Sequence, residues 1–182
     1  MPKPPWAKSQ ISADQAQSRQ TFQHLDQDEI EILGALLAQE VSRLRLRTLL
    51  FFGPLGSGKT TLIRALVSSL PGSAQAQVSS PSFALCNYYP VEPPVIHADL
   101  YRCQEEIPEE LLEALEEGEQ VLLIEWAEFL PNDLLPTEVL SLELELAEAK
   151  RNVSLSAKGK LATLALESLT QDFKKRINQS LE

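Results

Sequence analysis

The chain has 182 residues, 43% of them hydrophobic, and a formal net charge of −10. That length suits one domain with a sizeable core, and the acidic balance repels a phosphate backbone on average, which disfavours a general nucleic-acid binder. No run of about 18 apolar residues is present and the opening MPKPPWAKSQISADQAQSRQ lacks an apolar signal-peptide core, so neither a membrane span nor export is expected and a cytoplasmic home is the default.

Residues 1–19 read as a flexible polar tail. HLDQDEIEILGALLAQEV reads as the first helix: Asp26 and Glu29 form an approximate capping box, and Ile30, Leu33, Leu37 and Val41 recur at helical spacing. TLLFF, residues 48–52, suits a central strand buried on both faces. Residues 58–70 read as a helix with Leu62, Leu66 and Leu70 on one face, stopped by Pro71 and Gly72. Residues 71–82, rich in Ser, Gln, Ala and Pro, read as a loop. FALCNYYP and VIHADL read as strands either side of a proline-bounded turn. IPEELLEALEEGEQ reads as a helix with Pro108 at its first position, Glu109 and Glu110 complementing the helix dipole and Gly118 ending it. VLLIEW, residues 121–126, reads as a buried strand.

VLSLELELA alternates strictly, with Leu140, Leu142, Leu144 and Leu146 on one face of a half-buried strand, and NVSLSA is its hairpin partner. A closing helix carries Leu166, Leu169, Phe173 and Ile177. Helices alternate with strands first and an antiparallel hairpin follows, so the fold class is α/β with a mixed, mostly parallel sheet. Cys86 and Cys103 lack CxxC spacing and His24 lies far from His97, so free core thiols are expected and zinc is not. The basic clusters Arg43, Arg45, Arg47 and Lys174, Lys175, Arg176 read as solvated faces, although the first also suits a partner surface beside the next motif.

That motif is GPLGSGKTT. Gly53, Gly58, Lys59 and Thr60 match G-x-x-x-x-G-K-[ST] between a buried strand and a helix. Glycine permits positive φ, which turns backbone N–H groups inward onto an anion, and the helix N-terminus adds its dipole. Pro54 removes one N–H, while Leu55, Gly56, Ser57 and Gly58 keep theirs. Lys59 is expected to reach the β- and γ-phosphates, and the Thr60 hydroxyl to ligate Mg²⁺. Thr61 completes the candidate nucleotide-binding set. The predicted architecture is therefore a three-layer P-loop NTPase-like domain over residues 20–160, with residues 161–182 as a C-terminal helix of the same domain.

A phosphate loop needs acidic company, and two candidates end strands: Asp99 in VIHAD and Glu125 in VLLIE. In a parallel sheet, ligands bind at the carboxyl strand ends, so both carboxylates can converge on the Mg²⁺ edge of the loop. Glu125 sits where it can polarise a water or hold a metal-bound one. The plainer alternatives are a helix or turn cap for Asp99 and a strand-end carboxylate facing water for Glu125. Trp126 suits either stacking on the nucleotide or packing.

Four segments in order, GPLGSGKTT (53–61), SPSF (80–83), HADLYR (97–102) and IEWAE (124–128), resemble the bacterial TsaE (YjeE) ATPases of tRNA threonylcarbamoyladenosine synthesis. The resemblance covers about residues 20–160, and HADLYR followed by IEW is its most specific part. It implies an ATP- and Mg²⁺-dependent ATPase, weak alone, working with TsaD- and TsaB-like proteins. That complex modifies the adenosine next to the tRNA anticodon, with hydrolysis resetting it between turnovers. By position it makes Lys59 and Thr60 the phosphate and Mg²⁺ residues. Asp99 and Glu125 become the hydrolytic carboxylates, with Glu125 also at the metal, and Trp126 lies beside the nucleotide. Residues 80–83 become a switch-like loop near the γ-phosphate. The chain departs from the pattern at Pro54, where an acidic residue is common, and at Ser82, where threonine is usual.

The sequence shows no lid over the nucleotide and no obvious arginine finger, with Arg64 and Arg102 as candidates. An open site fits slow hydrolysis by the isolated chain. The rival readings are a small P-loop kinase of a nucleoside or metabolite with Asp99 as base, a GTPase switch, and a nucleotide-binding adaptor. The kinase lacks its usual arginine-bearing lid, and the GTPase lacks its N-K-x-D motif.

Overall fold

The computed structural model describes residues 16–103 and 107–180. The tail expected over residues 1–19 therefore lies mostly outside the described residues.

Seven strands form one sheet: β1 (Ser18–Leu25), β2 (Thr48–Phe52), β3 (Cys86–Tyr89), β4 (Val95–Asp99), β5 (Val121–Glu125), β6 (Val139–Ala147) and β7 (Lys150–Lys158). Their spatial order is β1-β7-β6-β2-β5-β4-β3. The neighbours β6-β2, β2-β5 and β5-β4 run parallel, while β3, β7 and β1 pair antiparallel on the flanks. The apolar runs TLLFF and VLLIE lie in the middle, and both strands are buried throughout.

Among the described residues, four α-helices complete the layers: α1 (Gln27–Leu44), α2 (Lys59–Ser68), α3 (Glu109–Glu117) and α4 (Lys160–Ser180). Alternation along β2 divides the core in two. Leu49 and Phe51 join the α1, α2 and α4 residues Leu33, Leu37, Leu62, Leu66, Leu166 and Leu169. Leu50 and Phe52 face the other way, toward Leu111 and Ala114 of α3.

Local chemistry fixes the helix starts. The capping box is complete: the Glu29 N–H donates to the Asp26 carboxylate at 3.0 Å, and the Asp26 N–H donates to Glu29 at 2.8 Å. Glu138 caps α4 from the neighbouring strand region, accepting from the N–H groups of Lys160, Leu161 and Ala162 at 3.0, 2.8 and 3.2 Å. Three donors that the helix cannot use are thereby satisfied. Pro108 is the N-cap of α3, at φ −55° and ψ 136°, and not its first helical residue.

β1 is a strand that the sequence pattern did not reveal. Ser18 and Arg19, counted with the tail, pair with Ala157 and Ser156. SRQTFQHL holds only two strong hydrophobes, Phe22 and Leu25, because an edge strand buries little. Phe22 anchors it against Phe173 of α4, ring centres 4.5 Å apart. His24, read as the helix start, is in the strand with φ 55°. Leu140, Leu142 and Leu144 are buried as the alternation requires, but Leu146 is 53% exposed. The β2–β6 pairing stops at Phe52 opposite Glu143, so Leu146 runs past its neighbour.

Gly34 brings α1 and α2 into close contact: a Cβ there would lie 2.4 Å from the Ala65 Cβ and 2.9 Å from the Leu66 nitrogen. Gly34→Ala should therefore destabilise the fold by roughly 1–3 kcal/mol, the usual range for overpacking. Urea denaturation reads this directly, and an unchanged midpoint would mean that the helices separate at no cost.

Candidate active site

The register of three parallel strands builds the site. Phe51 of β2 lies opposite Glu125 of β5, and Glu125 lies opposite Asp99 of β4. All three strands thus reach the same sheet edge, where the chain leaves β2 at Gly53 and enters the phosphate loop. Side chains two residues apart share a face. Val121 and Leu123 face the α1–α2 layer, as does Val95. Glu125, His97 and Asp99 continue those two rows and emerge beside the start of α2.

The loop that delivers α2 depends on glycine. Gly53, at φ 131°, has no room for a side chain, since a Cβ would sit 2.2 Å from the Leu144 carbonyl oxygen. Gly58, at φ 99°, turns the chain into the helix. The loop closes on itself: the Ser57 N–H, counted above as a donor toward phosphate, bonds to the Pro54 carbonyl at 3.2 Å. The Lys59 ammonium donates to the Gly53 and Pro54 carbonyls at 2.8 and 3.0 Å and lies 4.1 Å from the centre of the Trp126 ring.

Glu125 is the hub. Its Oε1 accepts from Thr60 Oγ1 at 2.6 Å and from His97 Nε2 at 2.9 Å. The first bond ties strand β5 to helix α2, and the second ties it to β4. His97 is fully buried, and its Nδ1 has no hydrogen-bond partner among the described residues. Asp99 Oδ2 accepts from Ser80 at 2.7 Å and Ser82 at 3.0 Å, while Oδ1 accepts from the Tyr101 N–H at 3.0 Å. Asp99 therefore does cap the turn that follows β4, as the plainer sequence reading allowed, and it also binds the 80–83 loop.

These groups surround a cleft of ≈ 310 Å³. Of the residues singled out from sequence, Leu55, Gly56, Gly58, Lys59, Thr60, Thr61, Asp99, Glu125 and Trp126 all line it. Ser57 does not: its side chain is buried, and its hydroxyl lacks a partner among the described residues. Trp126 packs in the α3-side core at φ 55°, with its ring centre 4.6 Å from that of Tyr101, and also lines the cleft. Ser80 and Ser82, read from sequence as part of the switch-like 80–83 loop, reach the cleft as direct partners of Asp99, and Arg151 is a cleft residue to which the sequence reading gave no role. His97 was quoted in a motif, but its bond to Glu125 depends on a strand pairing that no local pattern encodes. Arg64 and Arg102 are absent from the cleft lining.

Burial shapes the ionisation. It pushes the Lys59 ammonium below its ordinary pKa, against the opposing pull of Glu125, Glu128 and Asp99. Burial also raises the Glu128 carboxyl to about 6, against a weaker downward pull from its backbone hydrogen bond and from Lys59.

The donor set suits Mg²⁺. Thr60 and Glu125 offer hard oxygen ligands, and both bonds to Glu125 converge on Oε1, leaving Oε2 available. Among the described residues no group of three or more His, Cys, Asp or Glu side chains could cage a metal.

A mixed sheet with parallel centre strands, a G-x-x-x-x-G-K-T loop between β2 and α2, and carboxylates at the neighbouring strand ends define a P-loop α/β protein. The family model "Threonylcarbamoyl adenosine biosynthesis protein TsaE" matches residues 24–153. The chain belongs to the TsaE family. It is 36% identical over 130 residues to the tRNA threonylcarbamoyladenosine biosynthesis protein TsaE of Aquifex aeolicus, covering 70% of this chain and 85% of that protein. Identity to the protein of the same name from Bacillus subtilis is 30% over 121 residues, covering 65% and 75%. A crystal structure of Bacillus subtilis YdiB shares the fold, with TM-score 0.65 and 22% identity over 85% of this chain and 96% of that one.

The Glu128 shift carries a sign. Its folded pKa exceeds the ordinary 4.5, so the native state holds the proton longer than the unfolded chain does. Its contribution to stability is favourable at low pH and is lost as pH rises through about 4.5 to 6. Glu128→Gln should flatten that slope and melt no lower than the parent above pH ~7. Thermal midpoints across pH ~4–8 check this; parallel slopes would refute it.

Proposed function

We propose that this chain is the ATP-binding and ATP-hydrolysing subunit that supports threonylcarbamoylation of the adenosine next to the tRNA anticodon. It works in the cytoplasm in complex with TsaD- and TsaB-like proteins. The supporting observation is the Thr60–Glu125–His97 cluster, which sets a carboxylate at the mouth of a phosphate loop.

Lys59 exchanges the Gly53 and Pro54 carbonyls for phosphate oxygens, a charge-assisted contact. The N–H groups of Leu55, Gly56, Gly58, Lys59, Thr60 and Thr61 surround the anion at the start of α2. Thr60 and Glu125 would hold Mg²⁺, which would supply charge neutralisation on the phosphates. His97 fixes the Glu125 carboxylate through Oε1, which leaves Oε2 for the metal position, where a metal-bound water would be polarised. Asp99, carried on the same edge, links the nucleotide to the 80–83 loop through Ser80 and Ser82. Trp126 positions Lys59 from beneath. The cleft remains open to water, which weakens electrostatic stabilisation of the transition state. Closure by partner proteins would exclude that water, so hydrolysis is slow alone and faster in the complex. With a net charge of −10, the chain leaves tRNA mainly to those partners.

Lys59→Ala should weaken ATP binding about tenfold or more, as expected for loss of a charged phosphate contact; retained affinity would remove the loop from the site. Glu125→Gln and Asp99→Asn should each slow hydrolysis by about 10²-fold or more while the fold persists. His97→Phe should lower turnover with a smaller change in ATP affinity. ATP turnover alone and with TsaB and TsaD counterparts tests the whole proposal. A rise in the complex that Glu125→Gln abolishes is expected; equal rates with and without the partners would refute partner activation and direct the search to a phosphorylated product.

A further inference from the structure

The basic cluster that precedes β2 has no place in the chemistry of the cleft. Arg43 lies in the last turn of α1, Arg45 is its C-cap at φ 54°, and Arg47 leads into β2. In the chain they stand just before the phosphate loop, but that loop follows the far end of β2. The stretch from Arg47 to Gly53 spans about 20 Å, at about 3.3 Å per extended residue. The cluster therefore occupies the sheet edge opposite the cleft.

The same edge receives the start of α4. β6 runs parallel to β2, and β7 runs back along it, so Val139 and Lys158 pair at this edge and α4 begins just beyond, at Lys160. The Ser168 hydroxyl of α4 donates to Glu40 of α1 at 2.9 Å, which sets the two helices side by side. One turn toward the edge from Glu40 is Leu44, and one turn toward it from Ser168 is Leu164. Leu164 is 43% exposed and Leu161 36%. Among the described residues they are the only large hydrophobic side chains left exposed on an α-helix.

The charges at this edge do not balance. Glu40 is fully engaged, with Oε1 accepting from Ser168 and Oε2 from Arg43. Glu138, just before β6, gives both oxygens to the N–H groups of Lys160, Leu161 and Ala162. Arg45, Arg47 and Lys160 have no ion pair among the described residues. Arg47 Nη1 is buried without a hydrogen-bond partner among them. Burial and the nearby charge of Arg45 both lower the Arg47 pKa. Two guanidiniums thus stand close enough to repel, with no carboxylate paired to either, next to a pair of exposed leucines.

An acidic protein segment with apolar side chains answers both halves of this surface. Guanidinium forks bind carboxylates through paired hydrogen bonds, and arginine is enriched in protein interfaces where lysine is depleted. Nucleic acid fits less well: a phosphate backbone has nothing to lay on Leu161 and Leu164, and a net charge of −10 repels it. The chain's own opening, MPKPPWAKSQISADQ, carries two lysines and one aspartate and so does not match the charge. We propose that Arg45, Arg47, Leu161 and Leu164 form a docking surface for an acidic, apolar-bearing segment of the TsaB- and TsaD-like assembly, separate from the nucleotide cleft. This rests on reading those proteins as partners. Carboxylates of the partner meet Arg45 and Arg47, and its apolar side chains cover the leucines. The contact leaves the cleft uncovered and does not need nucleotide.

Calorimetric titration of the chain into the TsaB–TsaD assembly tests it, with and without a non-hydrolysable ATP analogue, on the parent, Arg45→Glu, Leu164→Ser and Lys174→Glu, with thermal midpoints recorded for each. Arg45→Glu should weaken binding about tenfold to a hundredfold, by the same factor with and without the analogue. Leu164→Ser should weaken it severalfold, and Lys174→Glu, in the other basic cluster, should bind as the parent does. Midpoints should shift little and ATP turnover by the chain alone should stay unchanged, since none of the three residues lines the cleft. Parent-like affinity in Arg45→Glu would overturn the proposal while leaving the partnership intact, and if that variant loses tRNA binding instead, the surface is an RNA contact. Equal losses in Lys174→Glu and Arg45→Glu would overturn it in favour of diffuse charge attraction. Binding that requires the analogue would place the contact at the cleft and overturn it as well. No binding by the parent would bring down the reading of the partners, and this proposal with it.

Discussion

Three parallel strands in register hold this site together. Because Phe51, Glu125 and Asp99 lie side by side across β2, β5 and β4, the phosphate loop and both carboxylates share one sheet edge. Because side chains alternate along each strand, Glu125, His97 and Asp99 all face the helix that the loop begins. A slip of one residue in either pairing would turn a carboxylate toward α3 and away from Lys59. The apolar burial of β2 and β5 fixes that register, since Leu49, Leu50, Leu122, Leu123 and Ile124 occupy both cores at once.

Within that frame the charges satisfy one another before any nucleotide arrives. Lys59 is almost buried, and its ammonium is kept by two loop carbonyls, the face of Trp126 and nearby carboxylates. Buried ions are tolerated only when paired in this way. Nucleotide affinity is therefore a difference: phosphate must outcompete the carbonyls of Gly53 and Pro54. The shared Glu125 oxygen also couples elements that would otherwise move independently, since α2, β5 and β4 all bond to it or carry it. Asp99 extends the linkage outward through Ser80 and Ser82 to a loop whose Phe83 is 87% exposed. Chemistry at the cleft thus has a bonded route to the surface.

Much of this was legible in the chain. The capping box at Asp26, the strand–loop–helix around Lys59, and the acidic ends of VIHAD and VLLIE each depend on a short window, and each lies where that window indicated. Other features escaped because their cause is not local. SRQTFQHL forms β1 through hydrogen bonds to β7, more than a hundred residues on. His97 stands in a strand like any buried residue until β4 is laid against β5. At the two departures from the pattern the sequence resembles, the Ser82 hydroxyl donates to Asp99 and the Pro54 carbonyl accepts from Lys59.

The sequence by itself determined the kind of chemistry. Spacing within nine residues is enough to specify an anion-binding loop, because glycine, lysine and threonine act there through their own backbone and short reach. It also determined the elements, because helical and strand periodicities are local. Only the tertiary structure decided which distant groups join them. Strand order put Glu125 and Asp99 on one flank of the loop and Arg151 on the other. It placed His97 rather than water behind Glu125, and it left Arg64 and Arg102 outside the cleft. The physical reason is that hydrogen bonds and ion pairs reach about 3–4 Å, while the residues that make them can lie more than a hundred positions apart. Only packing of the sheet brings them within that reach.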